Sequence, residues 1–346
     1  MPELKLYTIA QLRAWLEEIQ VVDGLSETIV APQRAYAIIH NPYVKDDDPV
    51  VAAIFVEGRN VAYTSAFPEE INGKRYWWFS GLWCDPKHEG NGYGLIVVGS
   101  LAEVYGVEYC LDRWGADATV EIFTYLGHKT VYANRYLLGA HVHRDTAQGK
   151  MVYAVRKFQT LMHGWYRKPK HEDYLLRYIP CIDARTYAFI GAHSGNDYFH
   201  HTQEYLNWGL HYSYLISAPM IERVESMMPF AQAEICQAQS YAVQVWDGET
   251  LIGFYVIKKK EETLHVLYMF YEDAYREKVF ASIRDHVQRM KIEQCVTDNQ
   301  ELADYLLKQL YFPKHSAVKV SFSYPDTLSE PKEGGLQYGD GDCFIV

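Results

Sequence analysis

The chain has 346 residues, with 44 acidic against 33 basic side chains and a formal net charge of −11. That balance excludes a protein whose main task is to neutralise nucleic-acid or lipid phosphates. Hydrophobic residues make up 49% and charged residues 22%, which excludes disorder as the default state, and the length suits two domains of ordinary size.

The opening stretch, "TIAQLRAWLEEI", places Ile9, Leu12, Leu16 and Ile19 at helical spacing behind Thr8 as a cap. Its acidic residues sit inside the apolar pattern, so it does not read as a signal peptide. "VVAAIFVEGRNVAYTSAF" predicts a hairpin turning at Glu57-Gly58-Arg59-Asn60. A short loop with the turn signal Asn72-Gly73 leads to a third strand, "RYWWFSGLWC", and then to "CDPKHEGNGYG" and the apolar helix "LIVVGSLAEVY". We expect a strand in "DATVEIFTY", a helix in "HKTVYANRYLLG", and a closing hairpin in "AHVHRDTAQGKMVYAVRKF".

Residues 159–180 mix basic residues, prolines and aromatics and are read as a linker between residues 1–158 and 181–346. The second part repeats the order of elements rather than the residues. A three-stranded meander with a turn at Asp247-Gly248 is followed by a helix in "DAYREKVFASIRDHVQRM", a strand in "IEQCVTD", a helix in "NQELADYLLKQLYF" and a strand in "SAVKVSFSYP". The six cysteines are scattered without a CxxC pair, which suggests reduced thiols, and no apolar run reaches the length of a membrane span. We therefore expect a cytoplasmic protein.

Gly90, Gly92 and Gly94 stand at alternate positions between a buried strand and an apolar helix. Such glycines let backbone amides approach a ligand closely. A helix start adds unpaired N–H groups and the positive end of its dipole, which together suit a pyrophosphate. A dinucleotide fingerprint is out of register, because Ile96 and Val97 follow Gly94, and the Gly-Lys-Ser/Thr of a Walker loop is missing.

With this order of elements, residues of about 5–158 resemble the GNAT superfamily of N-acetyltransferases. The carrying motif is its pyrophosphate loop, [Q/R]-x-x-G-x-[G/A], which stands here as Glu89-Gly90-Asn91-Gly92-Tyr93-Gly94, with Glu89 in the place of Gln or Arg. The resemblance implies a mixed α/β fold (an α+β mixed sheet), two GNAT-like units in tandem, and acetyl-CoA or CoA as cosubstrate. It also implies that the edge of Leu82, Trp83 and Cys84 pairs with the pantetheine arm beside the thioester.

In that family a Tyr in "Y-x-x-L-G-F" usually protonates the departing thiolate. Aligning Leu138-Gly139 puts Arg135 in the Tyr slot, so the candidates are Tyr136, one residue and about 100° away on a helix, and Tyr132, near one turn earlier. Glu121 is the candidate base, with Glu69 and Glu70 as alternatives, and each of the three can equally be a solvated acid. His128 can meet a pantetheine amide or cap a helix, and Cys84 has no basic neighbour to make it nucleophilic. His193, His200, His201 and His211 lack metal-ligand spacing and are read as surface or groove residues; no metal is expected. Asp340 and Asp342 are read as a tail turn.

The second unit has no glycine where the loop should be, and carries Glu272, Asp273 and Glu277 instead. Leu307 falls in its Tyr slot and Tyr311 where Gly is expected, so it reads as a degenerate unit. "TQEYLNWGLHYSYL" is a candidate lining of an acceptor cleft or a helix packed on the sheet.

The leading expectation is an acyl-CoA-dependent N-acyltransferase acting on a primary amine, small-molecule or peptide, by direct transfer. No nucleic acid or membrane partner is expected, and the protein is a monomer or homodimer. The alternatives are a catalytically silent acyl-CoA-binding or scaffold protein and, from the fold alone, an aminoacyl- or peptidyl-transferase using a charged RNA.

Overall fold

A computed structural model describes residues 1–21, 29–30, 32–113, 115–139, 150–151, 153–155, 158, 173–212, 238–310, 312 and 314–341. The first unit runs β1 (Glu3–Thr8), α1 (Ile9–Val21), α2 (Pro32–Ile39), β2 (Pro49–Val56), β3 (Arg59–Ile71), β4 (Lys74–Cys84), α3 (Tyr93–Tyr105), β5 (Cys110–Arg113), α4 (Asp117–Tyr125) and β6 (Lys129–Gly139). The second repeats it: β7 (Leu175–Ile179), α5 (Ala184–His193), α6 (Gln203–His211), β8 (Ala238–Asp247), β9 (Thr250–Lys260), β10 (Thr263–Tyr271), α7 (Arg276–Arg289), β11 (Gln294–Thr297), α8 (Gln300–Gln309) and β12 (His315–Tyr324).

Local chemistry explains much of this. Thr8 and Gln11 form a reciprocal cap at the start of α1, through Gln11 N–H to Thr8 Oγ1 at 3.3 Å and Thr8 N–H to Gln11 Oε1 at 2.8 Å. Ile9, Leu12 and Leu16 of that helix are buried. The hairpin turns are left-handed at Glu57-Gly58 and at Asn72-Gly73, the conformation that matches strand twist. Glu69 and Glu70 lie within β3, which continues to Ile71, rather than in a loop.

Among the described residues, twelve strands form one sheet in the order β1-β2-β3-β4-β5-β12-β6-β11-β10-β9-β8-β7. The units exchange their last strands. β12 pairs with β5 at Phe322↔Arg113 and Ser323↔Asp112, and β6 pairs with β11 from Gln294↔Gly139 to Thr297↔Tyr136. Between these junctions β6 and β12 pair antiparallel along their whole lengths, His315↔Leu138 to Tyr324↔Lys129. Gly139 marks a close crossing: its φ is +90° and a side chain there would run into the Glu293 carbonyl.

Three local expectations are corrected. Asp117–Tyr125 is the helix α4, not a strand: its β-branched Thr119, Val120 and Ile122 favour strands, but helical spacing buries Phe123 while Glu121 and Tyr125 stay exposed. Lys129–Gly139 is the strand β6, not a helix, because both its edges find partners in the second unit. In the expected closing hairpin of residues 140–158, the described residues 150–151, 153–155 and 158 are helical, and the rest of that reading lies outside the described residues. Within residues 159–180 the described part carries β7, which pairs with β8.

α6 is a core helix. It buries Tyr205, Leu206 and Trp208, and Trp208 Nε1 donates to the Ala37 carbonyl of α2 at 2.8 Å. The described part of the stretch expected to line an acceptor cleft, Thr202 to Tyr212, instead ties the second unit to the first; Ser213–Leu215 lies outside the described residues.

Candidate functional site

β4 and β5 are parallel neighbours only at Trp77↔Cys110, Trp78↔Leu111 and Phe79↔Asp112. β4 then continues against β3 as far as Cys84↔Ala62. From Ser80 to Cys84 its other edge faces an opening in the sheet, whose far bank is the exposed His315–Lys319 end of β12. A bulge sits on this free edge. Ser65 pairs with Ser80 and Tyr63 with Trp83, so Gly81 and Leu82 both stand opposite Thr64. Bulges bend a strand and turn its backbone groups away from the ladder. Gly81 adopts φ +68°, and a Cβ there would lie 2.8 Å from Cζ of Arg34, a buried α2 side chain that hydrogen-bonds the Ser80 hydroxyl. Nothing in the sequence links Arg34 to this edge, 46 residues away.

The glycine loop closes the end of the opening. Asp85 Oδ1 accepts from Lys87 N–H at 2.9 Å, and Asn91 Nδ2 donates to the His88 carbonyl at 3.0 Å. These bonds shape the loop before α3. Gly90 and Gly92 have φ of +80° and +73°, and a Cβ at either would meet nothing within 4 Å. The cradle is therefore open. The first N–H groups of a helix have no intrahelical acceptor, and in α3 the Ile96 N–H reaches back to the Gly92 carbonyl at 3.1 Å. Gly94 differs: a Cβ there would make ordinary contact with Ile122 at 3.6 Å and Leu82 at 3.9 Å, so the start of α3 lies against α4 and β4. Tyr93 stacks on His88, and Glu89 and Asn91 are exposed.

Leu82, Trp83, Cys84, Glu89, Gly90, Asn91, Gly92, Tyr93 and Gly94 are thus assembled around one opening. A narrow amide chain ending in a pyrophosphate fits this donor set. The Cys84 thiol is pushed up by burial, then by the Glu89 and Asp85 charges, so it stays protonated and is a poor nucleophile.

The proposed catalytic residues are elsewhere. Tyr132 and Tyr136 lie on a strand, where neighbouring residues point to opposite faces, so Arg135 and Tyr136 diverge by half a turn rather than by 100°. β6 is three strands from β4, about 14 Å at the usual strand spacing. That is beyond proton-transfer reach of Cys84. Both tyrosines line the opening of the second unit instead. Glu121 is exposed on α4. The helix after β5 ends in Phe123-Thr124-Tyr125-Leu126-Gly127-His128, and aligning this Leu-Gly puts Phe123 in the Tyr slot. Phe123 is fully buried, edge-on to Phe79 and His128, and has no proton to give. Misreading α4 as a strand hid this segment. His128 is buried, its Nε2 2.9 Å from the Cys110 carbonyl, and burial pushes its pKa down; it pins α4 to β5.

The second unit has the equivalent opening, flanked by β10 and β6, because β10 and β11 pair only from Thr263↔Gln294 to His265↔Val296. Part of it is filled by the chain's own tail. Gly339 N–H donates to the Leu267 carbonyl at 2.8 Å, and Met269 N–H donates to Gln337 Oε1 at 2.8 Å. The tail thereby covers the edge of β10 that corresponds to Ser80–Cys84 of β4. A side chain at Gly339 would run into the Tyr268 ring.

Buried charge holds the tail. His201 is neither a surface nor a groove residue: Nε2 lies 2.9 Å from Asp340 Oδ1, and Nδ1 is bonded to Glu69. Trp78 Nε1 donates to the other Glu69 oxygen at 2.6 Å. Glu69 is therefore a buried structural acid rather than a solvated one or a base, and Asp340 is more than a turn residue; Asp342 lies outside the described residues. Burial alone would push the His201 pKa down, but the Glu69 charge and the bonds to Asp340 and Glu69 raise it to about 10. Beside it, Arg113 and Arg135 both pair with Asp298, at 2.8 Å each, and Arg135 also lies over the Tyr338 ring.

Comparison with protein-family models finds no match, and comparison with curated proteins finds none. Among solved structures, a candidate acetyltransferase from Pyrococcus horikoshii aligns over 100% of this chain and 96% of its own, at 8% identity and TM-score 0.54. A tandem GNAT protein from the clavulanic acid biosynthesis pathway aligns over 95% of this chain and 100% of its own, at 10% identity and TM-score 0.50. The chain has the tandem GNAT fold. Among the described residues of this GNAT-fold protein, no helix is long and apolar enough to cross a membrane.

Proposed function

We propose that the chain is an acyl-CoA-dependent N-acyltransferase, with acetyl-CoA as the simplest cosubstrate, acting on a primary amine of a small molecule or peptide. The observation that carries this reading is the free β4 edge, Ser80–Cys84, leading into an open glycine cradle at the start of α3. Bound acyl-CoA would supply an activated thioester. The chain's own part is to orient it: N–H groups of the α3 start would hold the pyrophosphate, and the bulged Gly81–Trp83 backbone would hold the amide arm. Arg34 packs behind the bulge and fixes its shape. No nucleic acid or membrane enters this reading, in keeping with the net charge of −11, and the chain acts in the cytoplasm as a monomer or homodimer.

Phe123 in the Tyr slot bears on rate rather than on binding. A thiol is acidic enough to leave as thiolate, so losing a positioned acid costs about 10²–10⁴-fold without abolishing transfer. The same residue, with Glu89, favours a second reading, a catalytically silent acyl-CoA-binding protein.

Calorimetric titration with acetyl-CoA and CoA separates these readings from neither. We expect binding that Gly92→Trp weakens by at least about fiftyfold, roughly 2.3 kcal/mol. Glu89→Gln is expected to leave affinity equal or tighter, since it removes a carboxylate beside the phosphate site. No binding at millimolar CoA would sink both readings. Thiol release across an amine panel then decides: release supports the transferase, and binding without release supports the silent binder.

A further inference from the structure

Arg34 is a costly way to shape a bulge. A guanidinium gives up much hydration on burial, and Arg34 is only 4% exposed. Its Nη1 donates to the Ser80 hydroxyl, a bond that a neutral amide side chain could make as well. Gly81 forgoes a side chain to admit it: a Cβ there would lie 2.8 Å from Arg34 Cζ and 3.0 Å from both Nε and Nη1, and the backbone adopts φ +68°. Ser80 is also tied to β3, where Ser65 Oγ donates to its carbonyl at 2.7 Å. The result is a positive charge held against bare strand backbone.

Its place along the edge matters more than its shape. The last pair between β4 and β5 is Phe79↔Asp112, so the opening begins at Ser80 and Gly81 and runs past Cys84 to the glycine loop. Ser80 to Cys84 spans about 13 Å of strand. An arm whose pyrophosphate lies at the start of α3 would run inward from Cys84, and its sulfur end would meet the closed end of the opening, beside Gly81. The charge of Arg34 therefore stands at the end where a thioester would react and not at the end where phosphates would bind. Phe123 packs edge-on against Phe79 next to this end and has no proton to give.

We propose that Arg34 serves acyl transfer by its charge: across the Gly81 backbone it stabilises the negative charge that builds on the thioester oxygen and the departing sulfur. This rests on the acyl-CoA reading of the groove. The step balances without an acid. The amine nitrogen bonds to the carbonyl carbon, the C–S bond breaks with its electron pair going to sulfur, and the amine's proton passes to water. Arg34 keeps all its protons, since a guanidinium stays charged throughout the working pH range, so it takes over by electrostatics what a protonating tyrosine would do by proton transfer.

Infrared difference spectra of the full chain with acetyl-CoA, carbon-13 labelled at the thioester carbonyl, test this with or without turnover, because a nearby positive charge polarises a carbonyl and lowers its stretching frequency. For the parent we expect the bound band below its position in solution. Arg34→Met should lose most of that shift, and Arg34→Lys, which retains the charge, should keep part of it. Ser80→Ala removes the anchoring hydroxyl but not the guanidinium and should keep most of it. Calorimetric CoA affinity should change no more than severalfold in all three, and thermal midpoints report that each fold is intact. With an accepted amine, Arg34→Met should lower kcat for thiol release by about 10²–10³-fold, the usual effect of removing one oxyanion-stabilising group, at nearly constant KM for acetyl-CoA. An unshifted band in the parent overturns the proposal whatever the variants do. Equal bands in the parent and Arg34→Met overturn it too, as does loss of CoA affinity in Arg34→Met and Ser80→Ala alike with no change in the band, which would mark a residue that only shapes the bulge. CoA binding with an unmoved carbonyl overturns this proposal alone, whereas no binding at millimolar CoA overturns it together with the acyl-CoA reading.

Discussion

Replacing His201 with alanine is expected to remove about 3–5 kcal/mol of folding stability, the usual consequence of leaving buried charge without its partner. Glu69 and Asp340 would keep their carboxylates in the interior, with side-chain exposures of 1% and 3%, and Trp78 would be left to satisfy one oxygen of Glu69. The pH dependence follows from the raised pKa. An imidazole near 6.5 when unfolded and about 10 when folded contributes its full stabilisation below about 6.5, and loses it as pH rises towards 10. Urea midpoints of the parent should therefore fall between those values. His201→Gln keeps one hydrogen bond but cannot carry the charge, so the gap between it and the parent should shrink over the same range. A constant gap, or a His201→Ala penalty under about 0.5 kcal/mol, the level of an ordinary surface change, would mean that the imidazolium does not hold these carboxylates.

Asp298→Ala is expected to cost at least as much, because it takes the shared carboxylate from two buried guanidiniums, of which Arg113 keeps its hydrogen bond to the Gln337 carbonyl. Arg113 and Arg135 have side-chain exposures of 0% and 1%, and both form their ion pair with this carboxylate. Arg135→Met should be much milder: Asp298 keeps Arg113, and an apolar chain of similar length can replace a buried ion at little net loss. The double variant should fall well short of the sum of the singles, since the three groups form one network. Denaturant unfolding of the four proteins reads this directly. Equal costs for the two single variants would contradict a shared carboxylate. The network joins the end of β5, the middle of β6 and the residue after β11, so its loss should also loosen the junction where the strands cross over.

What was legible in the sequence was local. Glu57-Gly58 and Asn72-Gly73 announce their turns because those backbones need left-handed residues. The glycine loop announces itself because an apolar strand and helix enclose it. The order of elements in the second unit was readable for the same reason. Misreadings came where a short segment satisfies two periods at once: Asp117–Tyr125 and Lys129–Gly139 each carry apolar residues compatible with either structure, and neighbours in space decide them. Buried charge was invisible, since nothing near Glu69, His201 or Asp340 in the chain says that residues 132 and 139 positions apart will meet. Phe123 in the Tyr slot is legible only once Asp117–Tyr125 is known to be a helix. Arg34 is another such case, lying close to Gly81 only after the chain has folded.

The exchange of β6 and β12 also changes what counts as half of this molecule. A fragment ending after β6 would keep a strand whose proper neighbours, β11 and β12, both belong to the other half, and would leave β5 with a bare edge. Two such fragments can satisfy each other by trading that strand, since β6 of one copy can lie where β12 lies in the intact chain. The chain then corresponds to the covalent form of a strand-traded pair, in which one half carries the open glycine loop and the other covers the matching edge of β10 with the bonds of Gln337 and Gly339.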